Sequence, residues 1–494
     1  MPETMRNSML NLSSAAISMV SGFVAAVIVA RLLDAEGVGA TAFGFWIASC
    51  TAAIADRGYP QSLLRNAAAE KDEASRQALV LSSFRGFASV IAFVFFGAVL
   101  LVIVTGSVSD RVDIGLWLAT AILFLFYCLS SFAISASRGL GDFAGPARNT
   151  ILGSLFYLPL SALGSIFMGP AGAILALATR YLPQAAGIFP LLRLYMGASQ
   201  PLSKDFHLYR RQMWLNDMIS ILALSRLEYL FLLLLATKAD MGHFAIAIAF
   251  AGLVEQLVLQ LSSPLLVSFS GHLGEKRLQL TATHNAFLFI ALIFLPVSIG
   301  GAAIAPVLVP FVYGEAFVVT GSAAAVMLLA GGISALSIVP WTFLAVTGHA
   351  SILTRVMIIS ALITCLAAPA AILIDGTQAL AWARVFSEAI ILSILLYSSR
   401  RMENITPPFS LLVRIALSAS LCGLAAFLVI SISPTVFGLL LSILMGAVVY
   451  ILALKLSNAV PRAALAPMLS ALDMRQDKAV GRHLRKSLLW VSAA

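Results

Sequence analysis

Apolar runs of about 20 residues, set off by short polar breaks, recur along almost the whole chain. Each is long enough to cross a hydrocarbon core of about 30 Å as a helix. The pattern predicts spans at 9–30, 38–55, 79–104, 115–135, 150–168, 170–192, 213–236, 243–268, 282–304, 321–346, 351–374, 377–398, 411–432 and 435–456. That is roughly fourteen helices, an all-α polytopic membrane plan. Pro159, Pro183, Pro264, Pro296 and Pro369 fall inside these runs. In lipid such residues are tolerated where a neighbouring helix or a cavity satisfies the freed backbone groups.

Composition agrees with the pattern. Of the 494 residues, 60% are hydrophobic and 11% charged, with a mean hydropathy of +0.98. A soluble domain carries roughly 25% charged residues, so this chain uses lipid as its solvent. The first run has no small-residue cleavage site and is long enough to span, which reads as a helix and not as a signal peptide. The net charge of +9 sits between the apolar runs, where the positive-inside rule accounts for it without nucleic acid. Taking the N-terminus, every second loop and the tail gives roughly 23 Lys and Arg, against roughly 3 (Arg31, Arg111, Lys238) in the alternate loops. That bias places both termini in the cytoplasm and supports an even helix count. Cys50, Cys128, Cys365 and Cys422 all lie inside apolar runs and read as small hydrophobes, and the six histidines offer no metal spacing. The tail has a basic, patchily amphipathic stretch from Leu465 to Val491 that suits anionic headgroups.

The plan is duplicated. Ala30–Phe45 (ARLLDAEGVGATAFGF) is a charged corner between two apolar runs, and FLLLLATKADMG, ending at Gly242, repeats it. Gly39 aligns with Gly242, Gly141 to Arg148 with Gly348 to Arg355, and Gly169-Pro-Ala-Gly172 with Gly376-Thr-Gln-Ala379, all at nearly one offset. Both halves start on the same side, so they are expected to be parallel six-helix bundles about an axis normal to the membrane. The expected division is 1–196, 197–400, two extra helices in 401–456 and a basic tail, 457–494.

The residues that carry these corners also carry a resemblance. VARLLDAEGVGATAFGFWIAS followed by AIADRGYPQSLLRNAA resembles the opening of Wzx-type polysaccharide flippases. These belong to the multidrug/oligosaccharidyl-lipid/polysaccharide exporter superfamily. Asp34 and Ala35 stand where the family's first corner has Gly-Pro. SRLEYLFLLLLATKADMGHFAIA resembles the family's second-half opening, and Phe294 to Phe317 its ninth helix with a Tyr-Gly-x-x-Phe ending. The resemblance implies a bacterial inner-membrane transporter that moves an undecaprenyl-diphosphate-linked oligosaccharide to the outer leaflet by alternating access. The glycan would be destined for O-antigen, lipopolysaccharide or exopolysaccharide. It also implies membrane lipids, a polysaccharide polymerase and chain-length machinery as partners, a monomeric protein, and helices 13 and 14 beside the lipid tail.

An anionic diphosphate needs cations inside the bilayer, and intramembrane ionisable residues are functional candidates because they are costly. Arg226 and Arg180 are the expected headgroup ligands. Arg226 and Glu228 lie two positions apart and point to nearly opposite faces, so they cannot pair with each other. Arg180 has no acid three or four positions away. Arg384 and Glu388 are spaced i,i+4 and can neutralise one another. Glu255 is either a counter-ion to Arg226 or a coupling site. Glu228, Glu255, Arg384 and Glu388 are thus the coupling or counter-ion set, for an H+ or Na+ gradient and no organic cofactor. Arg85 and Arg414, near helix ends, are expected to snorkel. Arg31, Asp34 and Glu36 form either a solvated corner or an outer gate. The two rivals are a cation-coupled multidrug antiporter of the same superfamily and a membrane polymerase or ligase. The first would want an acid in helix 1, which has none. The second would want large outward loops or a G-x-S-x-G or H-E-x-x-H motif, and neither is present.

Overall fold

The computed structural model describes residues 3–108, 113–194, 201–224, 227–272 and 274–459, and their secondary structure is helical throughout. The chain packs as two compact units, Met1–Gly242 and His243–Ala494. The first contains α1 (Glu3–Leu32), α2 (Ala35–Ala55), α3 (Tyr59–Ala69), α4 (Glu73–Val108), α5 (Ile114–Gly139), α6 (Ala144–Ala186), α7 (Ile188–Leu194), α8 (Lys204–Leu224), α9 (Glu228–Leu235) and the first turn of α10 (Lys238–Ser270). The second holds the rest of α10, then α11 (Lys276–Tyr313), a short turn at Glu315–Phe317, α12 (Thr320–Val346), α13 (Ala350–Glu403), α14 (Phe409–Ile432) and α15 (Val436–Leu456).

Among the described residues, eleven helices are long and apolar enough to cross a membrane. Two of these are helix pairs that fold back on themselves, so the eleven supply thirteen crossings. The remaining expected span, 213–236, falls on α8 and α9. The basic tail from residue 460 lies outside the described residues.

Both fold-backs occur at glycines that the internal alignment pairs. Within α6, Gly169 adopts φ 58°, ψ −138°; within α13, Gly376 adopts φ 52°, ψ −130°. A side chain is strained in that region, so glycine marks the reversal in each half. The aligned Gly141 and Gly348 match as well, at φ 88° and 84°. After the reversal, the two arms of α6 touch through backbone. A Cβ on Gly164 would lie 2.4 Å from the Gly172 carbonyl oxygen, and one on Gly153 would lie 2.0 Å from that of Arg180.

Inside each unit one helix is central. In the first it is α5, packed on α2, α3, α4 and α6. Phe87 stacks on Phe132 at 4.8 Å between ring centres, and Tyr59 meets Phe87 edge-on at 6.3 Å. In the second it is α11, packed on α12, α14 and α15, with Tyr450 donating its hydroxyl to the Leu292 carbonyl at 2.9 Å. Lipid tails are as apolar as leucine, so these interfaces gain from close packing and hydrogen bonds more than from apolar burial. Small buried residues accordingly sit at the contacts: Ala25, Ala136 and Ser161 in the first unit, Ala419 and Ser442 in the second. Large apolar side chains do the opposite. Phe93, Phe167, Leu366 and Ile432 are 77–85% exposed, which is stable only in lipid.

Candidate functional site

Arg180, on the second arm of α6, is tied to α1. Its Nη2 donates to the Ser18 carbonyl at 2.7 Å and also to the Ser18 hydroxyl. Its guanidinium stands 5.7 Å from the Tyr157 ring centre. Gly22 leaves the space, because a Cβ there would lie 3.2 Å from Nη1. No carboxylate pairs with Arg180 among the described residues. Its positive charge is therefore solvated by dipoles and not cancelled, and a guanidinium has five donors. Two contacts with Ser18 leave donors available to a phosphate oxygen.

Arg226 lies outside the described residues. Glu228 opens α9 with only 3% of its surface exposed, beside the equally buried Tyr229, whose ring centre is 6.2 Å from that of Trp46.

The second unit brings together three charges that sequence spacing joins only in part. Arg384 Nε meets Glu388 Oε1 at 3.1 Å, the expected i,i+4 pair. Arg384 Nη2 also lies 3.6 Å from Glu255 Oε1, which comes from α10. The exposed fraction rises from Glu388 (9%) through Arg384 (16%) to Glu255 (30%). Two carboxylates thus share one guanidinium inside a helix bundle. Such a group can take up a proton or a cation.

At the corner near Gly39, Asp34 caps α2 by accepting from the Gly37 amide at 2.7 Å. In the second copy Asp240 accepts from the Thr237 amide at 3.0 Å and its hydroxyl at 2.7 Å. The two aligned glycines lie against one another within the first unit. A Cβ on Gly39 would be 2.0 Å from the Lys238 carbonyl oxygen, and one on Gly242 would be 1.9 Å from that of Ala35. Each glycine thus approaches the carbonyl four residues before the other, where α2 meets the first turn of α10. Glu36 pairs with Lys238 at 3.6 Å, but both side chains are more than 60% exposed, so backbone packing dominates here. Arg31 is exposed in the last turn of α1.

Sequence reasoning missed one site altogether, the turn after α2. Buried Asp56 accepts from the Gly58 amide at 2.8 Å, Arg57 has φ 50° and Gly58 has φ 73°. This turn seats α8. A Cβ on Gly58 would lie 2.4 Å from the Arg210 carbonyl oxygen. Trp214 donates Nε1 to the Ile54 carbonyl at 3.0 Å, and Gln61 donates to Asp217 at 2.7 Å. Arg210 sits 4.3 Å from the Tyr59 ring centre and Arg65 4.1 Å from that of Tyr209. Burial pushes the Asp56 carboxyl up to about 7, opposed by the Gly58 hydrogen bond and helped by the charge of Asp217. The available signal was the Asp-Arg-Gly-Tyr-Pro run, whose family likeness says nothing by itself of a buried acid.

The comparisons with known proteins meet this geometry. The sequence model of a family described as polysaccharide biosynthesis protein matches residues 4–220. No curated protein matches the chain in sequence. Among solved structures, the lipid II flippase MurJ in an inward closed conformation superposes with a TM-score of 0.67 at 13% identity, covering 92% of this chain and 98% of its own. An inward-facing multidrug resistance MATE family transporter of the MOP superfamily gives 0.63 at 15%, covering 78% and 94%. A MOP superfamily transporter from Pyrococcus furiosus gives 0.56 at 15%, covering 81% and 95%. All three are transporters or flippases and none is an enzyme. By fold along most of its length the chain resembles these transporters, and over residues 4–220 its sequence matches the polysaccharide biosynthesis family model.

Proposed function

We propose that the protein is a flippase for a diphosphate-linked oligosaccharide, carrying the headgroup from the cytoplasmic to the outer leaflet of a bacterial inner membrane by alternating access. The observation that carries the reading is Arg180, a cation in a membrane-spanning helix whose charge no described acid cancels, in a chain whose first 220 residues carry the polysaccharide biosynthesis model. Coverage supports the same choice over a multidrug antiporter. The lipid II flippase pairs with 92% of this chain and the multidrug transporter with 78%, a difference on the order of two membrane helices. In this reading both termini are cytoplasmic, and the protein acts as a monomer. It feeds a polymerase and chain-length machinery for O-antigen or exopolysaccharide, and helices α14 and α15 border the lipid tail. Arg226 adds a second cation, and Glu228 is its counter-ion or coupling partner in sequence. The Glu255–Arg384–Glu388 triad is the coupling site for H+ or Na+.

In vesicles loaded with a fluorescent lipid-diphosphate oligosaccharide, Arg180→Gln is expected to slow flipping at least about tenfold, because charge-assisted hydrogen bonds contribute roughly 1.5–3 kcal/mol. Arg180→Lys should fall between, since an ammonium lacks the bidentate fork. An unchanged thermal midpoint in the purified variants separates this loss from misfolding. Wild-type flipping by Arg180→Gln ends the headgroup-ligand reading.

The corner of Arg31, Asp34 and Glu36 then acts as the outer gate, and its working surface is the Gly39–Gly242 contact. Gly39→Leu places a side chain where a carbonyl now sits, so the same assay should show at least about a tenfold loss of flipping. Lys238→Ala should change flipping less than about fivefold, since an exposed ion pair contributes roughly 0–1 kcal/mol. The reverse ranking would move the gate away from the glycines.

A further inference from the structure

The Gly141–Arg148 motif marks the duplication, yet its charged residues belong to neither the Arg180 site nor the triad. It closes one end of a cavity of about 220 Å³ in the first unit, lined among others by Ser137, Asp142, Arg148, Asn149 and Gln184. Asp142 spends one carboxylate oxygen on the Gly145 amide, at 2.9 Å, at the start of α6. Arg148 has no hydrogen bond or ion pair among the described residues, and it is exposed. Gln184 is buried to 8% exposure and held by its Nε2 on the Thr150 hydroxyl at 2.6 Å. The wall is mixed, apolar at Ala133, Ile134 and Leu191, with one negative and one positive group that do not pair with each other. Five residues of chain lie between them, and the helix begins at Ala144. The four helical steps from Ala144 to Arg148 rise about 6 Å along the axis, within reach of a small zwitterion that spans both charges.

The cavity lies beside an exposed apolar side chain. Phe189 falls between two lining residues, Gly187 and Pro190, and is 63% exposed. The equivalent corner of the second half is built differently. There His349 stands in the place of Asp142, and it pairs with Glu403 at 3.0 Å. One copy of the motif is closed by an internal pair, and the other leaves both charges on a cavity wall.

We propose that this cavity binds a phosphoethanolamine headgroup of a membrane lipid, with Arg148 and Asn149 on the phosphate and Asp142 on the ammonium. The opposed charges select a zwitterion, because Asp142 repels a purely anionic headgroup. Phosphocholine has the same net charge, but its quaternary ammonium has no N–H to donate to Asp142. The charge pattern of the loops assigns the site to the cytoplasmic leaflet.

The test uses the full chain in detergent, with bound lipid counted by native mass spectrometry. Lipids of matched acyl chains are added, carrying phosphoethanolamine, phosphocholine or phosphoglycerol headgroups, with water-soluble phosphoethanolamine as a fourth probe. The wild type should retain the phosphoethanolamine lipid at least about fivefold better than the other two lipids. Asp142→Asn keeps the cap on Gly145, because asparagine caps as well as aspartate, yet should erase the preference over phosphocholine. Arg148→Gln should lower retention of the phosphoethanolamine and phosphocholine lipids together. Equal retention of all headgroups by the wild type overturns the site. So does a phosphoethanolamine preference that survives both substitutions. A phosphoglycerol preference abolished by Arg148→Gln overturns the zwitterion in favour of a plain anion site. Saturation by the soluble compound at the same concentration overturns the membrane source.

Discussion

Asp56→Asn will flatten the pH dependence of stability between about pH 4 and 7. The Asp56 carboxyl is raised to about 7, with burial as the main cause, against an ordinary carboxylate value near 3.9. A folded-state value above the unfolded one means that the folded protein holds the proton more tightly. The stabilisation is therefore full below about pH 4 and is lost as pH rises through about 7. Each tenfold change in proton affinity corresponds to about 1.4 kcal/mol, so a difference of roughly a thousandfold between the two states limits the loss to about 4 kcal/mol. Asparagine preserves the acceptor for the Gly58 amide and carries no charge. Thermal midpoints of the two proteins should coincide at pH 4 and below, and the variant should be increasingly the more stable from there to pH 8. The groups facing Asp56 are Asp217 on α8 and Tyr127 and Cys128 on α5, so Asp217→Asn is expected to shift the wild-type transition to lower pH. A midpoint difference that is the same at pH 4 and pH 8 would falsify the burial argument.

The turn at Asp56 also shows where sequence reading stopped. The spans were legible because lipid demands a continuous apolar surface, and hydropathy reports that demand directly. The fold-backs at Gly169 and Gly376 were legible as an aligned pair, since the backbone needs the same unusual conformation in each copy. The charges were another matter. Arg384 and Glu388 could be paired from their spacing, because four residues is one turn of one helix. Glu255 reaches the same guanidinium from another helix, and Arg180 reaches Ser18 across 162 positions of sequence. No periodicity encodes such contacts, which depend on how helix faces are turned toward one another. The Gly39–Gly242 contact had both residues in view as an alignment. That two aligned residues also touch follows only from where the first turn of α10 lies in the first unit.

Arg384→Met should be among the most destabilising single substitutions in the second unit. The guanidinium is only 16% exposed and meets two carboxylates, at 3.1 and 3.6 Å. Removing it leaves Glu255 and Glu388 with like charges in a poorly solvated place, and breaking a buried pair from one side costs about 3–5 kcal/mol. The cost comes mainly from the stranded acids, so a second change should recover much of it. Arg384→Met with Glu388→Gln is expected to return to within about 2 kcal/mol of the wild type. Glu388→Gln alone leaves the Glu255–Arg384 contact and should be mild. Denaturant titration of the four proteins in detergent gives the coupling between the positions. A loss below about 1 kcal/mol in the single Arg384 variant would mean that solvent, and not the guanidinium, carries these carboxylates. A fifth protein addresses ion coupling. Glu255, the most exposed of the three, is the group on which an incoming proton or sodium ion can act while Arg384 holds Glu388 in place. Glu255→Gln should therefore keep the fold and lose the dependence of flipping on the ion gradient. Gradient-driven flipping that survives in Glu255→Gln would leave the triad a purely structural clasp between α10 and α13.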